Sequence, residues 1–122
     1  MARHPLTYKH RLHYRWEFVR FFEGAEVFRL SQCIIFRIPN TLGHFRLGIT
    51  LKCRGSSVER NLVKRTVREG VRRLAEHLGS YDYNVVIPGT KKMIRPYPEQ
   101  LALCLRSEFS TALPQKAPSL AK

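Results

Sequence analysis

The chain has 122 residues, 43% of them hydrophobic, and carries 22 Lys and Arg against 9 Asp and Glu, a formal net charge of +13. That length suits one small domain able to bury a modest core without disulfides, and a charge excess of this size concerns partners, namely polyanions, more than fold. No apolar run approaches the roughly 20 residues that a bilayer span requires.

The N-terminal stretch MARHPLTYKHRLHYRWEF lacks the apolar segment of a secretory signal. Cys33, Cys53 and Cys104 include no C-x-x-C pair, so neither a disulfide framework nor a zinc finger is indicated. Reduced thiols in a cytoplasmic protein are the expectation.

In chain order, residues 1 to about 15 hold Arg3, Lys9, Arg11, Arg15 and three histidines without an acidic residue, which reads as a basic arm ordered against a partner. From Trp16 to Glu23 the spacing of Phe18, Phe21 and Phe22 predicts a short helix stopped by Gly24. Residues 32–38 (QCIIFRI) predict a strand closed by Pro39-Asn40. Residues 45–52 alternate: Phe45, Leu47, Ile49 and Leu51 form a buried face, and Arg46, Gly48, Thr50 and Lys52 an available one.

After Gly55-Ser56-Ser57, with Ser57 as the expected cap, a long helix is predicted from Val58 to Leu78, ending at Gly79. Asp82 to Pro88 reads as a further strand, and Pro98 to Leu113 as a last helix docking Leu101, Leu105 and Phe109. Residues 1–113 therefore read as a single domain and 114–122 as a frayed tail. The fold class is α+β, an α/β sandwich of helices on a small sheet in the order α-β-β-α-β-α, with room for one extra short strand. A strand directly after the long helix suggests a β-α-β crossover.

The long helix carries the strongest signal. On a helical wheel Val63, Val67, Val71, Leu74 and Leu78 gather as a core face flanked by Gly70, while Asn61, Lys64, Arg65, Arg68 and Arg72 gather within roughly 100° beside it. Helical charges usually form a solvated face, but natural surfaces interleave both signs. A ridge tracking phosphates explains the arc better, since the arginine fork binds phosphate oxygens in pairs. About five such contacts would give a salt slope near −4.

Phe18 and Phe22, with Trp16 and Phe21 nearby, are either core or a stacking surface for unpaired bases; Arg46, Thr50 and Lys52 would complete a groove. Catalytic constellations are scarce. Asp82 is the single aspartate, the glutamates are scattered, and no H-E-x-x-H, nucleophile elbow or P-loop is present. His10 and His13 have ligand-like spacing but no companions, and the clustered carboxylates of a metal-dependent nuclease are missing.

The run RLGITLKCRGSSVERNLVKRTVREGVRRL resembles the protein subunit of bacterial ribonuclease P: a strand ending in basic residues, a Gly-containing loop, then Arg60-Asn61-Leu62-Val63-Lys64-Arg65 and Arg68-Glu69. Leu62 stands where that family's Arg-Asn-Arg signature has its second arginine, and Lys52-Cys53-Arg54 where it has paired lysines. Arg11-Leu12, Phe18, Phe22 and Gly24 match as well, so the likeness spans about residues 11–110.

The resemblance implies a left-handed β-α-β crossover, and an RNA subunit that removes the 5′ leader of precursor tRNA using bound Mg²⁺, with neither catalytic residue nor metal supplied by the protein. It implies that Arg60, Asn61, Lys64, Arg65 and Arg68, with Arg72 one turn on, contact the RNA subunit. Phe18, Phe22, Phe36 and Lys52, with the nearby cations Arg46 and Arg54, would hold the single-stranded leader. The competing readings are a ribosomal-type RNA-binding protein and a protein that cuts RNA by itself. A peripheral membrane binder fails for want of a helix pairing basic and apolar faces.

Overall fold

The computed structural model describes residues 8–113. Four strands, β1 (Glu26–Arg29), β2 (Ile34–Pro39), β3 (Arg46–Leu51) and β4 (Tyr81–Ile87), form one sheet in the order β1-β2-β4-β3. The β1–β2 and β2–β4 pairs are antiparallel, whereas β3 and β4 run parallel. Parallel neighbours cannot be joined by a tight turn, and α2 (Ser57–Arg72) makes the crossover between them.

Alternation sorts the strand residues onto two faces. On one, Ile35, Leu47, Tyr83, Val85 and Ile87 meet Val63, Val67 and Val71 of α2 and Leu101, Leu105 and Phe109 of the C-terminal helix. The predicted valine face of α2 is thus the core, with all three valines fully buried. On the other, a smaller cluster of Leu12, Phe21 and Ile38, joined by Phe18, Ala25 and Phe36, seats α1 (Arg15–Val19) and the 3₁₀ turn Arg20–Glu23 behind it. Gly24, at φ 107°, ends that segment as expected.

Several boundaries differ from the sequence reading. The cap of α2 is Ser56, not Ser57: the Ser56 hydroxyl accepts from the Glu59 N–H at 3.2 Å, and the Glu59 carboxylate accepts from the Ser56 N–H at 2.9 Å. Only Ser56 has a glutamate three residues on, as a capping box requires. The helix also ends at Arg72 rather than Leu78. There the backbone tightens to i→i+3 bonds (Leu74 N–H to Val71 O, His77 N–H to Leu74 O) and makes the 3₁₀ turn Ala75–His77. Leu78 still reaches the core from this turn.

The extra short strand is β1, whose four residues are mostly exposed and so lack a periodic signal. The last helix, α3 (Tyr97–Cys104), passes into a π turn at Leu105–Phe109 and a final turn at Ser110–Ala112. Its inward residues Leu101, Leu105, Phe109 and Leu113 recur every fourth position. Such a repeat drifts by about 40° per step on an ideal α-helix, and the wider π turn absorbs that drift. Part of the basic arm lies along the edge of β3: Arg11 bridges Leu47, the Leu12 N–H donates to the Leu47 carbonyl at 3.0 Å, and His10 stacks on Phe45 at 4.8 Å. The first seven residues and the tail 114–122 lie outside the described residues.

Candidate nucleic-acid interface

The face of β3 expected to be available is divided by α1. At its Arg46 end, α1 covers the sheet; at its Thr50 and Lys52 end the sheet opens into a groove of about 380 Å³. Phe18, Val19, Phe21 and Phe22 form one wall, Ile34, Phe36, Asn84 and Val86 the floor, and Thr50 and Lys52 the far side, with Arg15 also lining it. The Thr50 hydroxyl donates to Asn84 Oδ1 at 3.1 Å, so the floor carries a fixed polar pair between apolar surfaces.

The three phenylalanines differ in how far they are committed to packing. Phe21 is buried in the small cluster, Phe18 is half-buried, and Phe22 is 87% exposed at the groove mouth. An aromatic ring so exposed contributes little to the core, and beside cations it offers a π-face to a base.

Of the proposed leader residues, the groove brings together Phe18, Phe22, Phe36 and Lys52. It does not include Arg54, exposed in the loop after β3, or Arg46. Arg46 sits opposite Asp82 in the β3–β4 register and donates to it through Nε (2.9 Å) and Nη2 (2.7 Å), with Nη1 at 2.6 Å from Glu17. Arg20 reaches Asp82 at 3.1 Å. Burial works against ionising Asp82, but hydrogen bonds from Arg46 and Asn40 and the charges of Arg46 and Arg20 outweigh it and hold the carboxyl below its ordinary range. Burial likewise opposes the charge on Glu17, yet the backbone N–H groups of Tyr14 and His13, together with Arg46, keep its pKa low. This cluster anchors α1 to the sheet, and Arg46 is taken up in it.

The basic arc of α2 is also divided. Lys64 and Arg68 face a hollow of about 160 Å³ shared with Arg11, Leu12, Phe18 and Gly48. Phe18 therefore partitions the groove from the hollow. Burial, then the charge of Arg11, lowers the pKa of Arg68, as expected where cations gather on one flank. Arg60 donates to the Cys53 carbonyl at 3.3 Å, tying the start of α2 to the preceding loop. Asn61 is exposed; Arg72 pairs with Glu69; Arg65 lies on the other flank, towards α3.

The sequence placed Arg15 in the basic arm rather than in the groove, and did not single out Ile34, Asn84 and Val86. The strand DYNVVI held a signal for two of them, since Asn84 and Val86 alternate with the core residues Tyr83, Val85 and Ile87. Among the described residues no three His, Cys, Asp or Glu side chains stand close enough to hold a metal ion, and no helix is long and apolar enough to cross a membrane.

The family model described as Ribonuclease P matches residues 6–112. The chain belongs to the ribonuclease P protein family. It is 39% identical over 79 residues to the ribonuclease P protein component of Methylococcus capsulatus, covering 63% of this chain and 62% of that one. With the ribonuclease P protein component of Mesoplasma florum it shares 31% identity over 81 residues, covering 66% of this chain and 74% of the other. The solved ribonuclease P protein of Staphylococcus aureus superposes with a TM-score of 0.69 at 25% identity, over 89% of this chain and 94% of that one. The α+β fold with its four-stranded sheet is thus the fold of ribonuclease P proteins. Membership makes the chain a protein component of an endoribonuclease holoenzyme that partners an RNA, within the tRNA-processing machinery.

Proposed function

We propose that this chain assists a catalytic RNA in removing the 5′ leader from precursor tRNA, docking on the RNA subunit through α2 and holding the leader in the groove beneath α1. The observation that carries the reading is the groove itself, in which the exposed Phe22 ring, the half-buried rings of Phe18 and Phe36 and the cations Lys52 and Arg15 share one open surface. Stacking on aromatic faces with basic flanks accepts any unpaired base, which suits a leader of varying sequence.

Lys64 and Arg68, beside Arg11, supply a phosphate-facing edge next to that groove, with Arg60 and Asn61 at the start of the helix. A strand leaving the groove past Phe18 would meet them. The Mg²⁺ of the reaction is assigned to the RNA subunit, and the part of the protein is to bind and to position. Glu17 and Asp82, which flank Arg46 where α1 meets the sheet, are each engaged by it.

The test compares precursor tRNA with and without its leader for binding to the RNA–protein complex at fixed salt. A protein-dependent gain for the leader-bearing form, reduced by Phe22→Ala, is expected. Equal binding of the two forms overturns the leader assignment.

A further inference from the structure

The flank of α2 turned away from the groove carries a second basic site. A surface groove of about 400 Å³ runs between α2 and the C-terminal helix, lined by Arg65, Thr66, Glu69, Gly70, Arg73, Leu74, Ala102 and Arg106. It exists because the two helices approach closely at Gly70, where an added Cβ would lie 2.8 Å from Leu105 Cδ1. Arg106 follows Leu105 inside the π turn, so the contact that buries Leu105 brings Arg106 to the rim facing Arg65 and Arg73.

Arg65, Arg73 and Arg106 are all exposed, and none has a carboxylate within ion-pair range among the described residues. The one carboxylate of the groove, Glu69, is paired with Arg72. Three exposed guanidinium groups, with no carboxylate in ion-pair range among the described residues, thus stand over an apolar floor of Gly70, Leu74 and Ala102. Guanidinium forks suit phosphodiester oxygens, and the floor suits the sugar and base edges of an unpaired strand.

We propose that this groove binds a second strand of the RNA subunit, so that α2 is clamped between two RNA segments, one on the Lys64–Arg68 flank and one along Arg65, Arg73 and Arg106. The proposal rests on the reading of α2 as the docking element for the RNA subunit. Arg65 joins the two sites, lying in the basic arc and lining the groove.

The test measures binding of the full chain to a bacterial ribonuclease P RNA over a salt series. It uses Arg73→Ala/Arg106→Ala beside Lys64→Ala/Arg68→Ala, with thermal unfolding as the control for folding. Losing two phosphate contacts should make the slope of log affinity against log salt shallower by about 1.4–1.8. Hydroxyl-radical footprints should lose an RNA segment different from the one lost in the Lys64/Arg68 variant. Arg73→Lys/Arg106→Lys should keep the slope, because the charge remains.

An unchanged slope for Arg73→Ala/Arg106→Ala, while Lys64→Ala/Arg68→Ala loses its share, overturns the second site and leaves the docking reading standing. Unchanged slopes in both overturn the docking reading as well. A Lys variant that loses the slope as fully as the Ala variant overturns a charge-based site. A defect seen only when precursor tRNA is present assigns the strand to substrate and overturns the proposal as stated.

Discussion

Phe18 lies directly on Gly48: a Cβ added to the glycine would come within 2.4 Å of the ring's Cε1 and 2.9 Å of Leu12 Cδ1. This contact sets how closely α1 approaches the sheet, and with it the width of the groove whose wall Phe18 forms. Gly48→Ala should therefore push the ring outward. Overpacking of this kind costs about 1–3 kcal/mol, and leader affinity should fall together with stability. Denaturant midpoints and leader-dependent binding check both; an unaltered midpoint would mean that the ring moves aside freely.

Phe18 and Phe22 should part company on substitution. Phe22 is 87% exposed, so Phe22→Ala should leave stability within about 0.5 kcal/mol. It should still weaken leader binding by up to the ~1–3 kcal/mol that a stacked base contributes. Phe18→Ala should lower both quantities. Equal stability losses in the two variants would show Phe22 to be packed after all.

Lys64→Ala/Arg68→Ala should reduce affinity for the RNA subunit and flatten its salt dependence by about 1.4–1.8 in slope, with unchanged thermal unfolding. Both residues lie outside the valine face that builds the core. Precursor binding by the assembled complex at saturating protein should change less. A salt slope equal to that of the unaltered chain would remove the phosphate role of this flank.

The Arg46 cluster predicts an acid-sensitive fold. Asp82 and Glu17 both have pKa values below their ordinary range. Their contribution is therefore fully present above the unfolded-state values near pH 4, and it is lost as pH falls through the lower, folded-state values. Urea midpoints should hold from pH 7 to about 5 and drop below about 4. Asp82→Asn should cost about 3–5 kcal/mol at neutral pH, the range for breaking a buried pair, and should blunt the acid decline. A decline equally steep in the variant would place its origin elsewhere.

What the sequence made legible follows from periodicity. The valine face of α2, the alternation of β3 and the Gly24 stop depend on one element each, and all three hold. What remained hidden depends on pairing between distant segments. By alternation alone Arg46 and Lys52 are equivalent, both on the open side of β3. Only the register that sets Asp82 opposite Arg46, 36 residues apart in the chain, shows that one is held in an ion cluster and the other faces the groove. Phe21 and Phe22 are likewise adjacent aromatics in a short helix, and only the docking of α1 on Ile38 and Leu12 makes the first core and the second surface. The cap at Ser56 was legible in principle, since the serine–glutamate spacing was there to be read.

Reconstitution tests the division of labour between protein and RNA. Precursor tRNA cleavage by a bacterial ribonuclease P RNA is measured at low Mg²⁺ with and without this protein, alongside protein alone. Cleavage at the mature 5′ end should be stimulated by the protein only when the RNA is present. Binding without stimulation, or cleavage by the protein without the RNA, would contradict that division.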